Sequence, residues 1–184
     1  DEVLQKQVVP TEKVITPKGL EPLARKYGLT IEESSTLKGT HGQLISRDNK
    51  ILIPKNLSKD LSKEEIIAHE IGHSVQTKLS QEELDIFNKL VKSFKQEVDA
   101  SLTHIRRFEE KGGKQGYLET FSDLYGKYIL GEKLPAGNQF KFYFDEVAPL
   151  PTDFYAQIKE IEEVKPKTTV KKFPENKYKL NLLE

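Results

Sequence analysis

The stretch IIAHEIGHSV, residues 66 to 75, sets two histidines four positions apart, with a glutamate directly after the first. On a helix, positions i and i+4 project in parallel from one face, so His69 and His73 can offer imidazole nitrogens to a single metal ion. Glu70 stands about 100° around the helix from His69, better placed to reach a water on that ion than to ligate the ion itself. Zinc in such a site lowers the pKa of bound water toward neutrality, and a carboxylate can take its proton as the water attacks a carbonyl. On a helical wheel Ile67, Ala68, Ile71, Gly72, Val75 and Leu79 share one arc, and His69, Glu70 and His73 lie on the opposite side. The histidines are therefore expected off the core-facing side, with Gly72 leaving room for a neighbouring element to approach. The competing reading is a solvated helix face that carries three polar side chains.

A catalytic zinc site needs a third protein ligand and an open position. The candidates are His41, His104 and the carboxylates. The strongest lies in YLETFSDLYGKYIL, where Glu119 and Asp123 stand at i and i+4 on one face of a helix. Glu119 is expected to ligate the ion, and Asp123 to accept a hydrogen bond from the outer nitrogen of a ligand histidine. An ordinary surface Glu/Asp pair is the alternative. His41, in a loop after Gly39, and His104, near Ile105 and Phe108, read more readily as structural histidines.

Several elements must position these residues. Ser62 with Glu65 is a capping box that opens the histidine helix, and Ser80 with Glu83 repeats the device for the next one. There Leu84, Phe87, Leu90, Val91, Phe94, Val98, Leu102, Ile105 and Phe108 keep helical period up to Gly112-Gly113, with a break expected near Asp99 to Ser101. A third helix is expected from about Tyr117 to Leu130, stopped by Gly131. GQLISRDNKILIPKN reads as a hairpin, Leu44 and Ile45 against Ile51 to Ile53. Its second strand, just ahead of the histidine helix, is expected to offer an exposed edge to an extended peptide. Val3 to Val9 has strand character. Pro17 suits a first helical position, but Pro22 follows so closely that the regular helix is expected to begin only there; Leu20, Leu23, Ala24 and Tyr27 keep its period until Gly28. NQFKFYF is expected as a short strand or aromatic loop. A last helix should start at Thr152 and cover Phe154, Ile158, Ile161 and Val164, and residues 165–184 read as a Lys/Pro-rich tail or extended arm.

The fold class that follows is α+β: a single domain over 1–164, with a small sheet from residues 3–9 and 43–54 packed on four to five helices. The 184 residues are 36% hydrophobic and 32% charged, enough for one modest core. Lysine and arginine total 29 against 29 acids, which gives no support to nucleic acid or an anionic membrane as partner. No apolar run is long enough to span a membrane. The absence of cysteine excludes disulfides, zinc knuckles and thiol nucleophiles. A chain beginning at Asp1 reads as a mature or trimmed fragment.

HExxH followed by ExxxD on a later helix resembles the gluzincin pattern of zinc metallopeptidases. The interval from His73 to Glu119, 46 residues (119 − 73), is longer than in thermolysin-like enzymes. It is similar to the anthrax lethal factor-like group, which includes the Pro-Pro endopeptidases. ETFSDLY resembles that group's glutamate–aromatic–aromatic–small–acidic run, with Thr120 in place of the first aromatic and Asp123 as the second acid. APLPTDFYAQIKEI resembles its final proline-capped helix. The resemblance covers residues 1–164. It implies a zincin-like fold and a zinc-dependent endopeptidase with Zn²⁺ on His69, His73 and Glu119, Glu70 as general base, and Asp123 behind the ligands. It also implies a bacterial, secreted protein, a toxin domain or surface-protein protease, acting as a monomer on a protein or peptide. The group's oxyanion-holding tyrosine, seven residues before the glutamate, is replaced here by Gly112, which leaves Tyr117 as the alternative donor. Two rivals stand beside this expectation: a cytoplasmic regulatory protease that cleaves a repressor, and a zinc-binding interaction module without turnover.

Overall fold

A proline at the first helical position forfeits no hydrogen bond, and α1 (Pro17–Lys26) starts at Pro17. Pro22 lies inside α1 rather than opening it. The lost N–H bond is offset because Leu20, Leu23 and Ala24, at helical spacing around it, are fully buried and hold the turn in place. Gly28, with φ of +77°, ends this segment in a conformation that side chains rarely adopt. The computed structural model describes residues 17–37, 42–57, 62–102 and 113–154.

Three strands follow: β1 (Thr30–Ser34), β2 (Gln43–Ile45) and β3 (Lys50–Pro54). The expected hairpin forms between β2 and β3, which pair antiparallel with Leu44 opposite Ile51. A 3₁₀ turn, Ser46–Asp48, and a left-handed Asn49 connect them. β3 is not an edge, however. β1 pairs with it in parallel, Ile31 opposite Ile51, so the sheet order is β1-β3-β2 and β3 is central. Its Ile51 and Ile53 are buried, as a strand hydrogen-bonded on both sides allows, and the edge beside the hairpin is β2.

α2 (Lys63–Gln76) and α3 (Gln81–Ser93) both open with complete capping boxes: the backbone N–H of Glu65 donates to Ser62 Oγ and that of Glu83 to Ser80 Oγ, while each glutamate carboxylate accepts from its N-cap N–H. The long helical run breaks at Phe94, whose φ of −118° and ψ of 31° leave helical geometry, earlier than expected. A short α4 (Lys95–Ser101) then ends in extended Leu102. α5 (Gly113–Leu130) terminates at Gly131, with φ of +71°. NQFKFYF is neither strand nor loop: it forms most of α6 (Gln139–Val147). Phe140, Tyr143 and Phe144 are buried while Phe142 is 61% exposed, a helical pattern that a strand with 140, 142 and 144 on one face cannot give.

The described residues thus form a mixed α+β fold of six α-helices and one three-stranded sheet. α2 lies at its centre, with α5 against one side and α1, β2 and β3 against the others. Among the described residues no helix is long and apolar enough to cross a membrane. The strand expected at residues 3–9, the helix beyond Phe154 and the tail at 165–184 lie outside the described residues.

Candidate metal centre

α2 is buried without interruption from Ile66 to Gly72, on its polar side as well as its apolar one. His69 is 9% exposed and Glu70 6%. The polar side expected to stand clear of the core is therefore covered. A wheel identifies which face is apolar, not whether a second element closes over the other, and here α5 does so.

Small residues allow that closure. A Cβ on Gly72 would lie 2.7 Å from Cα and 2.8 Å from the carbonyl oxygen of Ser122, so the α2 and α5 backbones touch there. One turn along α5, a Cβ on Gly126 would lie 3.2 Å from the backbone nitrogen of His69. The room expected at Gly72 is used in this way.

With the helices this close, Oε2 of Glu119 lies 3.5 Å from Nε2 of His69 and 3.8 Å from Nε2 of His73. The three atoms all fall within 4.8 Å of one another. Ligand atoms around a tetrahedral zinc, each at about 2.0–2.1 Å, stand roughly 3.3 Å apart, so a small contraction would seat an ion. The imidazole rings lie edge to face, with centroids 4.7 Å apart and planes at 89°. Donor type, convergence and burial all fit a metal ion on His69, His73 and Glu119.

Glu70 lies beside this group. Burial pushes its carboxyl above the usual carboxylate range and the Glu119 charge adds to this, against the opposing pull of His69 and the backbone N–H of Leu44, which donates to it. β2 thus runs against the polar side of α2. At the start of β2, a Cβ on Gly42 would lie 2.4 Å from Cγ2 of Ile66 and 3.2 Å from Cγ of Glu70.

One expected contact is made by a different residue. At His73, the outer nitrogen faces Ser122, whose Oγ lies 2.8 Å from Nδ1. The place assigned to Asp123 is taken there by its neighbour, because Ser122 follows Glu119 by three residues and Asp123 by four, some 100° further round the helix. Nor does Asp123 accept from His69, whose buried Nδ1 has no hydrogen-bond partner among the described residues. Ser122 escapes a reading of charged and imidazole side chains; its one signal is the three-residue offset from Glu119. Tyr117 packs against the hydrophobic core. It precedes Glu119 by two residues, which sets their side chains about 200° apart around α5. His41, His104 and Gly112 lie outside the described residues. Comparison with protein families, curated proteins and solved structures finds no match for this chain.

Proposed function

We propose that the chain is a zinc-dependent endopeptidase with a zincin-like fold, of the lethal factor-like kind that its motifs resemble. The observation that carries this reading is the convergence of His69, His73 and Glu119 from two helices, with Glu70 buried beside them. Two neutral imidazoles and a carboxylate suit zinc better than magnesium or calcium. A zinc ion held there would supply Lewis acidity toward water and a peptide carbonyl.

Glu70 is the proton carrier: its carboxylate takes a proton from the attacking water and returns it to the leaving amine. Burial raises its pKa, which makes it a stronger proton acceptor than a solvated glutamate. The N–H of Leu44 holds the carboxylate in place. β2, the edge strand beside it, offers main-chain groups to which a protein or peptide substrate adds in extended form. Secretion by a bacterial cell and action as a monomer belong to the same reading.

Elemental analysis should find about one zinc per chain, and a peptide library should be cleaved in a chelator-sensitive way. Glu70→Gln keeps the side chain's shape but cannot accept the proton; it should retain zinc and lose roughly 10²- to 10⁴-fold in turnover. Parental cleavage by Glu70→Gln would overturn the mechanism. One observation favours a second reading, a zinc-binding module without turnover: Tyr117 packs on the core, turned from the side of α5 that carries Glu119. Stoichiometric zinc with no cleavage across the library selects that reading.

A further inference from the structure

We propose that Ser122 is a positioning residue of this centre: its hydroxyl accepts the Nδ1–H of His73 and so presents the bare Nε2 of that ring beside Glu119. The inference rests on the metal-binding reading above. A neutral imidazole carries one proton on one of two nitrogens, and a ligand imidazole must leave the ion-facing nitrogen without it. Ser122 Oγ is 2.8 Å from Nδ1, a hydrogen-bonding distance. Nε2 is 3.8 Å from the Glu119 carboxylate, beyond that range, so this carboxylate does not hold a proton on Nε2 through a hydrogen bond. With its oxygen accepting from Nδ1–H, this hydroxyl leaves Nε2 without a proton, as a ligand nitrogen must be.

Ser122 has 0% exposure, so bulk water does not replace its hydroxyl. Its placement also follows from the geometry that places the ligand. Glu119 and Ser122 are three residues apart on α5 and share a face, so one rotation of the helix brings the carboxylate to Nε2 and the hydroxyl to Nδ1. Gly72 sets the distance, because its lack of a side chain lets the backbone of Ser122 rest on α2. The two histidines are held unequally: Ser122 engages His73, whereas Nδ1 of His69 has no hydrogen-bond partner among the described residues. A hydroxyl in this place does the orienting that carboxylates and carbonyls commonly do for ligand histidines.

Ser122→Ala tests this, since it removes the hydroxyl while keeping the Cβ and a good helix former. Two readouts are compared in the full chain. The first is the ring-nitrogen NMR signature of His73 in chelator-treated protein at about pH 8.5, two units above the ordinary imidazole pKa. The parent should show His73 with its proton on Nδ1; Ser122→Ala should lose that preference while His69 keeps its own signature. The second is zinc affinity by chelator competition, which should fall roughly 10- to 100-fold in the variant, with the melting temperature little changed. An unchanged His73 signature together with unchanged zinc affinity would falsify the proposal. Failure of the underlying reading is distinguishable: a parent that binds no zinc rejects the metal site, while the tautomer signature, which needs no metal, still reports on Ser122.

Discussion

α5 packs in two different ways on its two sides. Toward α2 it presents small residues, Ser122 and Gly126, and the backbones touch. Toward α3 and α6 it presents Phe121, within a cluster of rings. Phe87 of α3 lies at its centre, 5.0 Å between centroids from Phe121, 5.8 Å from Phe140 and 5.7 Å from Tyr143. Such rings bury much apolar area and tolerate small shifts, because edge-to-face contact is favourable over a range of distances. A backbone seam buries little but fixes a distance to within a few tenths of an ångström. The ring side supplies stability, and the seam sets the geometry of the centre.

The division is broken most forcefully by Phe87→Ala. Truncating a fully buried phenylalanine should cost about 3–5 kcal/mol in denaturant unfolding. Zinc affinity, titrated under conditions where the variant stays folded, should be unchanged; a fall to match the lost stability would show that the two sides are not separable.

Gly72→Ala probes the seam. The added methyl meets backbone, which cannot swing aside, so α2 and α5 must part. Overpacking of this kind costs about 1–3 kcal/mol, less than the phenylalanine change. Zinc affinity should nevertheless fall further than in Ser122→Ala, because both Nε2 distances lengthen along with the hydroxyl contact. Parental affinity in Gly72→Ala would remove the geometric role of the seam.

The smallest effect should come from the helix caps, which occur on both sides. Ser62→Ala and Ser80→Ala should each cost about 1 kcal/mol of stability and leave zinc affinity alike. The second cap carries a pH signature as well. The Ser80 N–H and then its hydroxyl hold the Glu83 carboxyl below the usual carboxylate range. With the folded pKa below the unfolded one, this contribution is fully present above the ordinary glutamate pKa and is lost as pH falls through the depressed value. The stability gap between parent and Ser80→Ala should therefore narrow as pH falls below that value, as the hydroxyl-to-carboxylate bond is lost. It should not close, because the bond from the Glu83 N–H to Ser80 Oγ does not titrate. A constant gap down to the lowest pH would show that the bond from the Ser80 hydroxyl to the Glu83 carboxylate contributes nothing to the cap.

What could be read from the chain follows the same division. The capped histidine helix and Glu119 were legible because each depends on spacing within one helix and on side-chain type. Among the described residues, six helices and a three-stranded sheet keep the α+β class, but β1 was missed. TIEES offers one apolar side chain, and the strand exists through its pairing with β3. That pairing also makes β3 central, a relation between segments that a hairpin reading cannot contain. In NQFKFYF the aromatics satisfy both periods, and only the exposure of Phe142 decides for a helix. Ser122 was invisible for a related reason: its contact with His73 depends on a glycine fifty positions earlier in the chain.

The seam bears on the entropy of the chain. Between His73 and Glu119 run 45 residues, including α3 and α4. Closing a loop of that length costs about 3.4 kcal/mol from its length-dependent part alone, (3/2)RT ln n. In a zinc finger the ion itself must offset such closure, so the metal-free chain is unfolded. Here the loop is already closed by Gly72 on Ser122 and by Gly126 on His69, and the ring cluster holds its far side. Stripping the ion should leave a folded protein whose ligands still converge. Rebinding would then require no refolding, and an ion held there, as proposed, would be a removable guest rather than a structural rivet.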